Sequence, residues 1–126
     1  MKFARWVFAI AGVYGILALA PHYFLEERIG RDLPPAITHL EYFYGFVGVA
    51  LAFQAIFLLV ASDPIRYRPA MIPCVLEKAS FAVATAALHF AGRLPGPVLA
   101  FGLIDFVLGS LFVAAFIATR PSPAAR

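Results

Sequence analysis

The chain has 126 residues, of which 63% are hydrophobic and 13% are charged, and its formal net charge is +3 at pH 7. Soluble domains are about 45–50% apolar, so this composition excludes an ordinary soluble domain and indicates an integral membrane protein. The basic residues flank apolar stretches singly or in pairs, which is typical of membrane topology signals and argues against a nucleic-acid-binding surface.

Four apolar stretches of about 18–24 residues alternate with charged segments, and each is long enough to cross a hydrocarbon core about 30 Å thick. The sequence therefore predicts one all-α domain, residues 1–126, that forms a bundle of four transmembrane helices. The predicted helices cover residues 4–23, 39–61, 73–91 and 97–119. In a chain of this length we expect no second domain.

Lys2 and Arg5 precede the apolar run of the first predicted helix, a basic start that is also typical of signal peptides. Pro21 would occupy the first position after cleavage at the small residues Ala18 to Ala20, so we expect a retained transmembrane helix instead. The mixed-charge segment 26–37 is expected to lie on the membrane surface.

Local signals set the bounds of the later helices. Thr38 and Glu41 match a capping box, in which Thr38 caps the second helix and Glu41 reaches back to the cap amide. Pro64 ends that helix, because the residue before a proline is pushed out of the helical region. Pro73 and Pro97 suit the first position of the third and fourth helices.

The basic residues also predict the orientation. With the N terminus inside, the inner side carries seven of them: Lys2, Arg5, Arg66, Arg68, Lys78, Arg120 and Arg126. The outer side carries three: Arg28, Arg31 and Arg93. The positive-inside rule predicts that both termini are cytoplasmic and, if the protein is bacterial, that it lies in the inner membrane. We expect Arg66, Arg68 and Lys78 to contact lipid headgroups.

Small residues mark the faces through which transmembrane helices associate. At about 100° per residue, one such stripe occurs on each helix and is expected to face the bundle centre. The four stripes are Ala4, Ala11, Gly15 and Ala18; Glu41, Gly45, Gly48, Ala52 and Ala55; Lys78, Ala82, Thr85 and His89; and Gly102, Asp105 and Gly109. The stripes also predict a homo-oligomer or a complex with another membrane protein.

Asp105 is the one ionisable residue in the apolar segment 100–109. An ionisable residue within a membrane span is by default a functional-site hypothesis. Six candidates for ligand binding or a proton relay are expected in the outer half of the bundle: Asp105, His89, Glu41, His39, Thr85 and Tyr44. They predict a polar pocket centred on Asp105 and His89.

Structural roles compete with these functional ones. A protonated or hydrogen-bonded Asp105 can join the fourth helix to Tyr14, Tyr44, Thr85 or His89. The capping box accounts for Glu41, and a lone histidine near a helix end is usually an interfacial residue with satisfied hydrogen bonds.

Other kinds of site find little support in the sequence. The acidic and histidine candidates include metal-binding residue types, but no two are spaced as ligand pairs on a helix. Cys74 is the only cysteine, so dithiol chemistry is excluded. We expect no metal, no cofactor and no catalytic residue.

The sequence thus favours a non-enzymatic membrane protein that binds a lipophilic small molecule or a partner helix through the outer pocket, with the lipid bilayer and no nucleic acid as further partners. One alternative is a small proton-coupled transporter in which Asp105 exchanges a proton for a substrate. Another is a membrane enzyme acting on a lipid or quinone, with Asp105 and His89 as acid and base.

Two short phrases, DPIRYRP at residues 63–69 and GRLP at residues 92–95, accompany the layout of a basic N terminus and four helices. In this combination the chain resembles the small bacterial membrane proteins grouped as DoxX-like. The resemblance implies a four-helix bundle but no settled chemistry, so it assigns no functional residue.

Overall fold

The computed structural model describes residues 2–125, which form five α-helices and three short 3-10 segments. In chain order, α1 covers Lys2–Leu19, α2 Glu26–Asp32, α3 Leu40–Ser62, α4 Met71–Phe90 and α5 Gly96–Ala118. The 3-10 segments are Ala20–Phe24, Arg68–Ala70 and Pro123–Ala125. The described residues contain no β-strand, which confirms the all-α prediction.

Four helical segments are long and apolar enough to cross a membrane. They are Lys2–Phe24, Leu40–Ser62, Arg68–Phe90 and Gly96–Ala118, each 23 residues long. The first and third include the 3-10 segments that extend α1 and α4. The short helix α2 lies between the first two spans and carries an exposed ion pair between Arg28 and Asp32 at 3.5 Å.

The long helices pack around a ring in the order α1, α3, α4 and α5, so that neighbours in space run antiparallel. The contacts between α4 and α5 and between α1 and α3 are extensive, whereas α3 and α4 touch at few points. The seam between α3 and α4 is therefore the loosely packed side of the bundle.

Arginine side chains tie the segments that meet at one end of the bundle. Arg5 Nη1 donates to the Ser62 carbonyl at 2.9 Å, and the Arg68 guanidinium donates two hydrogen bonds to the Phe116 carbonyl and lies over its ring. We call this the terminus end, because α1 begins and α5 finishes there, and the opposite end the α2 end. Arg126 lies outside the described residues.

An aromatic cluster joins three helices near the terminus end. Phe8, Phe57 and Phe112 are fully buried. The rings of Phe8 and Phe112 stack with centroids 4.1 Å apart, and Phe57 meets Phe112 edge to face at 4.9 Å. Aromatic pairs favour these offset-stacked and edge-to-face geometries, so the cluster fixes α1, α3 and α5 against one another.

The small-residue stripes face inward as predicted on α1 and α4, and on α5 Gly102 is buried while Asp105 and Gly109 are half-buried. On α3 the prediction is wrong, because most of that stripe is exposed. The buried face of α3 consists of Val47, Ala50, Gln54, Phe57 and Val60. The orientation of α3 is explained by its contact with α1. Gly15 on α1 leaves space that the Gln54 side chain fills, so a large α3 residue packs against a small α1 residue.

The predicted capping box does not form. Helix α3 begins at Leu40 with His39 as its N-cap, and no side-chain hydrogen bond from the described residues caps it. Glu41 is therefore one position too early in the helix to reach back as a capping box requires. Its carboxylate lies 3.7 Å from His39 Nδ1 instead.

Candidate functional site

A cluster of three charged side chains lies inside the bundle between α4 and α5. Lys78 is only 4% exposed. Its Nζ donates a hydrogen bond to Asp105 Oδ1 at 3.1 Å and lies 3.6 Å from Glu77 Oε2. The same ammonium group lies 5.2 Å from the centroid of the Phe57 ring, which adds a cation–π contact. We refer to Glu77, Lys78 and Asp105 as the charge cluster.

Two glycines let α5 approach α4 closely around this cluster. A Cβ atom at Gly109 would lie 3.1 Å from Lys78 Cβ, and one at Gly102 would overlap Thr85 Oγ1. Asp105 lies between these glycines on the same face of α5. Because small residues permit close backbone approach in membrane bundles, the glycines bring the Asp105 carboxylate within reach of Lys78.

The charge cluster lies deep within the predicted spans. Asp105 is nine residues from the start of α5 and thirteen from its end, which places it about 14 Å from the nearer end at about 1.5 Å per residue. Lys78 lies seven residues into α4, measured from the terminus end. Groups at these depths are poorly hydrated when the helices span a bilayer, so their charges have to be balanced within the protein or by a ligand.

The cluster has one carboxylate more than it has ammonium groups. Lys78 hydrogen-bonds Asp105, whereas Glu77 Oε2 is buried and makes no hydrogen bond to any residue between 2 and 125. Only the longer ion pair with Lys78 holds this oxygen, and burying a carboxylate oxygen without a hydrogen-bond donor is disfavoured. Glu77 is therefore the member of the cluster with unused capacity for a proton or a second cation.

A groove runs along the loose seam between α3 and α4, with a volume of about 810 Å³. Most of its wall is apolar. The lining residues are Tyr42, Gly45, Phe46, Val49, Ala50 and Phe53 from α3, and Pro73, Leu76, Glu77, Ser80, Phe81 and Ala84 from α4. We call this the α3–α4 groove; its volume lies within the range of about 300–1,000 Å³ that is usual for ligand sites.

Glu77 connects the α3–α4 groove with the charge cluster. It is the only charged residue among those that line the groove, and its side chain remains 17% exposed, whereas that of Lys78 is 5% exposed. The neighbouring polar group, Ser80, already donates its hydroxyl hydrogen bond to the Glu77 carbonyl at 2.8 Å. The arrangement can therefore offer one negative charge to a molecule in the groove.

The structure gives Asp105 and His89 different partners. Asp105 accepts from Lys78, whereas His89 Nδ1 lies 3.2 Å from the Leu94 carbonyl at the α4–α5 turn. Thr85 packs against Gly102; His89 lies four residues from Thr85 toward the α2 end, and Asp105 three residues from Gly102 in the opposite direction. The backbone positions of His89 and Asp105 are thus about 10 Å apart along the bundle axis, at a rise of about 1.5 Å per residue.

The other candidates from the sequence form separate local contacts. The Thr85 hydroxyl donates to carbonyls of its own helix. The Tyr44 hydroxyl donates to Glu26 Oε2 at 2.6 Å and so ties α3 to α2. His39 and Glu41 are largely exposed, with side-chain exposures of 73% and 69%. The six candidates are therefore not brought together in one pocket.

Lys78 and Glu77 take roles that differ from the expected ones. The sequence predicts that Lys78 contacts headgroups, yet its ammonium group lies between two carboxylates. This is because α5 places Asp105 opposite Lys78, and Gly109, which has no side chain, lets the two helices approach closely. Glu77 was not among the site candidates. The rule that singled out Asp105, an ionisable residue within a predicted span, could have found it, because Glu77 lies within the predicted helix 73–91.

Comparisons with known proteins add no relative from which a function could be carried over. No family model matches the chain, and neither a curated protein nor a solved structure matches it. The DoxX-like resemblance therefore stays a prediction, and the function has to be inferred from the site itself.

Proposed function

We propose that the protein is a non-enzymatic integral membrane protein whose α3–α4 groove binds a lipophilic small molecule taken from the bilayer. The observation that carries this proposal is the groove itself, which has the volume of a ligand site and an almost wholly apolar wall. Its rim includes strongly exposed apolar side chains, Phe46, Val49 and Leu76. In a bilayer these would face the hydrocarbon, so a ligand would enter sideways from the lipid.

The charge in the groove wall favours a small molecule over a partner helix. An apolar transmembrane helix laid along the seam would cover Glu77 without giving it a donor, which is costly at this depth. A small molecule can occupy the apolar part of the groove and present a polar group to Glu77. Of the two ligands that the sequence left open, a lipophilic small molecule and a partner helix, the groove therefore favours the small molecule.

We expect a neutral aliphatic alcohol with a photoreactive diazirine to label residues 42–53 and 73–84 when the protein is held in nanodiscs of zwitterionic lipid. Gly45→Trp should lower that labelling roughly tenfold, equivalent to about 1.4 kcal/mol, because Gly45 lines the groove and a Cβ there meets no atom within 4 Å. Labelled peptides would be identified by mass spectrometry.

Gly96→Trp is the matched control, since Gly96 is equally open but does not line the groove. It should leave the labelling unchanged. Labelling spread evenly over the lipid-facing surfaces, or labelling indifferent to Gly45→Trp, would contradict the proposal. A crosslinked dimer in which a second copy of the chain covers the groove and prevents its labelling would also contradict the proposal.

We also propose that both termini lie in the cytoplasm, supported by six basic residues on the inner side against three on the outer, with Lys78 left out because it is buried inside the bundle. In a Cys74→Ala background, which removes the buried native thiol, Thr38→Cys should react with an impermeant maleimide added to intact cells. Ser122→Cys should react only after permeabilisation. The opposite pattern would show that the orientation is inverted.

The alternative functions receive unequal support. Proton-coupled transport is favoured by one observation, an excess carboxylate within the predicted spans, and predicts substrate-driven proton movement that Asp105→Asn abolishes.

Catalysis on a lipid or quinone by Asp105 and His89 needs the two groups to meet. Because their contacts are with Lys78 and Leu94 respectively, we do not propose it.

A further inference from the structure

We infer that the α3–α4 groove selects a lipophilic cation, such as an alkyl amine, and that Glu77 supplies the negative charge that recognises it. This inference rests on the proposed function of the groove and adds the chemical class of the ligand and the recognising residue. It draws on the charge balance of the cluster, the position of Glu77 and the aromatic lining of the groove.

The charge balance leaves one negative charge on the groove side. Asp105 and Glu77 lie on either side of Lys78, with Asp105 on α5 and Glu77 on the wall facing α3. The hydrogen bond of 3.1 Å joins Lys78 to Asp105, while the separation of 3.6 Å from Glu77 Oε2 is too long to count as one. A cation in the groove would pair with the partly exposed carboxylate of Glu77, which Lys78 serves as an ion-pair partner but not as a hydrogen-bond donor.

The remaining wall suits a cation as well. Phe46 on α3 and Phe81 on α4 both line the groove, and their rings stack across the seam with centroids 6.0 Å apart. Phe53 lines the α3 wall further toward the terminus end. Aromatic faces attract cations through their quadrupole, whereas an anionic ligand would meet the Glu77 carboxylate and be repelled.

The test compares two competitors with the same aliphatic chain, one ending in a primary ammonium group and one in a hydroxyl group. Each displaces the neutral photoreactive alcohol from the intact protein in nanodiscs of zwitterionic lipid. For the wild-type protein we expect the ammonium compound to compete at roughly tenfold lower concentration. In Glu77→Gln the ammonium compound should lose this advantage over the alcohol, because a neutral amide cannot pair with its charge.

Glu41→Gln serves as the control for nonspecific attraction of the amine, because it removes an equal charge from an exposed side chain outside the groove lining. It should keep the tenfold preference. A far-UV circular dichroism spectrum like that of the wild-type protein shows that Glu77→Gln is folded.

The outcomes separate the inference from the proposed function. If the alcohol binds and the ammonium compound is no better, the cation inference is overturned and the groove proposal stands. If the preference persists in Glu77→Gln, the assignment of Glu77 is wrong. If neither compound competes and Gly45→Trp changes nothing, the groove proposal itself fails and the inference falls with it.

Discussion

Lys78→Met is expected to lower the free energy of unfolding by about 3–5 kcal/mol, the usual cost of removing one partner from a buried ion pair. Lys78 is 4% exposed and provides the ammonium group for both Asp105 and Glu77. Methionine fills similar space but leaves two carboxylates in the bundle without a counter-ion. The measurement is a denaturant titration in detergent micelles, followed by far-UV circular dichroism.

The variants around Lys78 should differ in a definite order. Asp105→Asn should cost only about 1–2 kcal/mol, because it leaves one ammonium and one carboxylate, Lys78 and Glu77, 3.6 Å apart. Combining Lys78→Met with Asp105→Leu and Glu77→Gln should recover most of the loss, since no buried charge then remains.

The exposed residue Lys2 supplies the control for the Lys78 series. Lys2→Met should change the stability by less than about 0.5 kcal/mol, as is usual for a surface substitution. A Lys78→Met variant as stable as Lys2→Met would show that the Lys78 ammonium is not held between buried carboxylates. An Asp105→Asn loss as large as that of Lys78→Met would contradict the excess of carboxylate in the charge cluster.

Gly102→Val is expected to lower the free energy of unfolding by about 3 kcal/mol, at the upper end of the range for overpacking. A Cβ at Gly102 would overlap Thr85 Oγ1 and lie 2.8 Å from Thr85 Cβ. Thr85 is 3% exposed and packed between the helices, so it has no free space to move into. The side chain of valine would therefore push α4 and α5 apart.

Gly45→Val is the matched control, because it introduces the same residue into a helix where a Cβ meets nothing within 4 Å. The difference between the two variants then isolates the contact with Thr85. Adding Thr85→Gly to Gly102→Val should restore part of the stability. Equal losses for Gly102→Val and Gly45→Val would contradict the close α4–α5 packing that brings Asp105 to Lys78.

The sequence predicted the helices well because the apolar runs are long and bounded by charges and prolines. It also indicated the inward faces of α1, α4 and α5, and these include both Lys78 and Asp105. A helical projection gives the direction of a side chain around the helix axis. It does not give the position along that axis at which the side chain meets a neighbouring helix. Depths counted from predicted helix ends therefore grouped Asp105 with His89, although its contact is with Lys78.

The rotation of α3 could not be predicted for a different reason. This helix is apolar on nearly every face, so its hydrophobic pattern does not single out a buried side. The prediction relied on small residues meeting small residues. In the structure, the glycines of α1 receive larger α3 side chains, Leu58 against Gly12 and Gln54 against Gly15. The α3–α4 groove follows from that rotation and was out of reach for the same reason.

The most direct test of ligand binding in the α3–α4 groove is tryptophan quenching by a brominated aliphatic alcohol in nanodiscs. Phe46→Trp places the reporter on the groove wall, and Phe106→Trp places it on α5, where residue 106 is 64% exposed and outside the groove lining. Both are made with Trp6→Phe, which removes the native tryptophan. We expect saturable quenching of the Phe46→Trp reporter and only a linear, partition-driven decrease for the Phe106→Trp reporter. Linear quenching of equal slope at both positions would contradict this expectation.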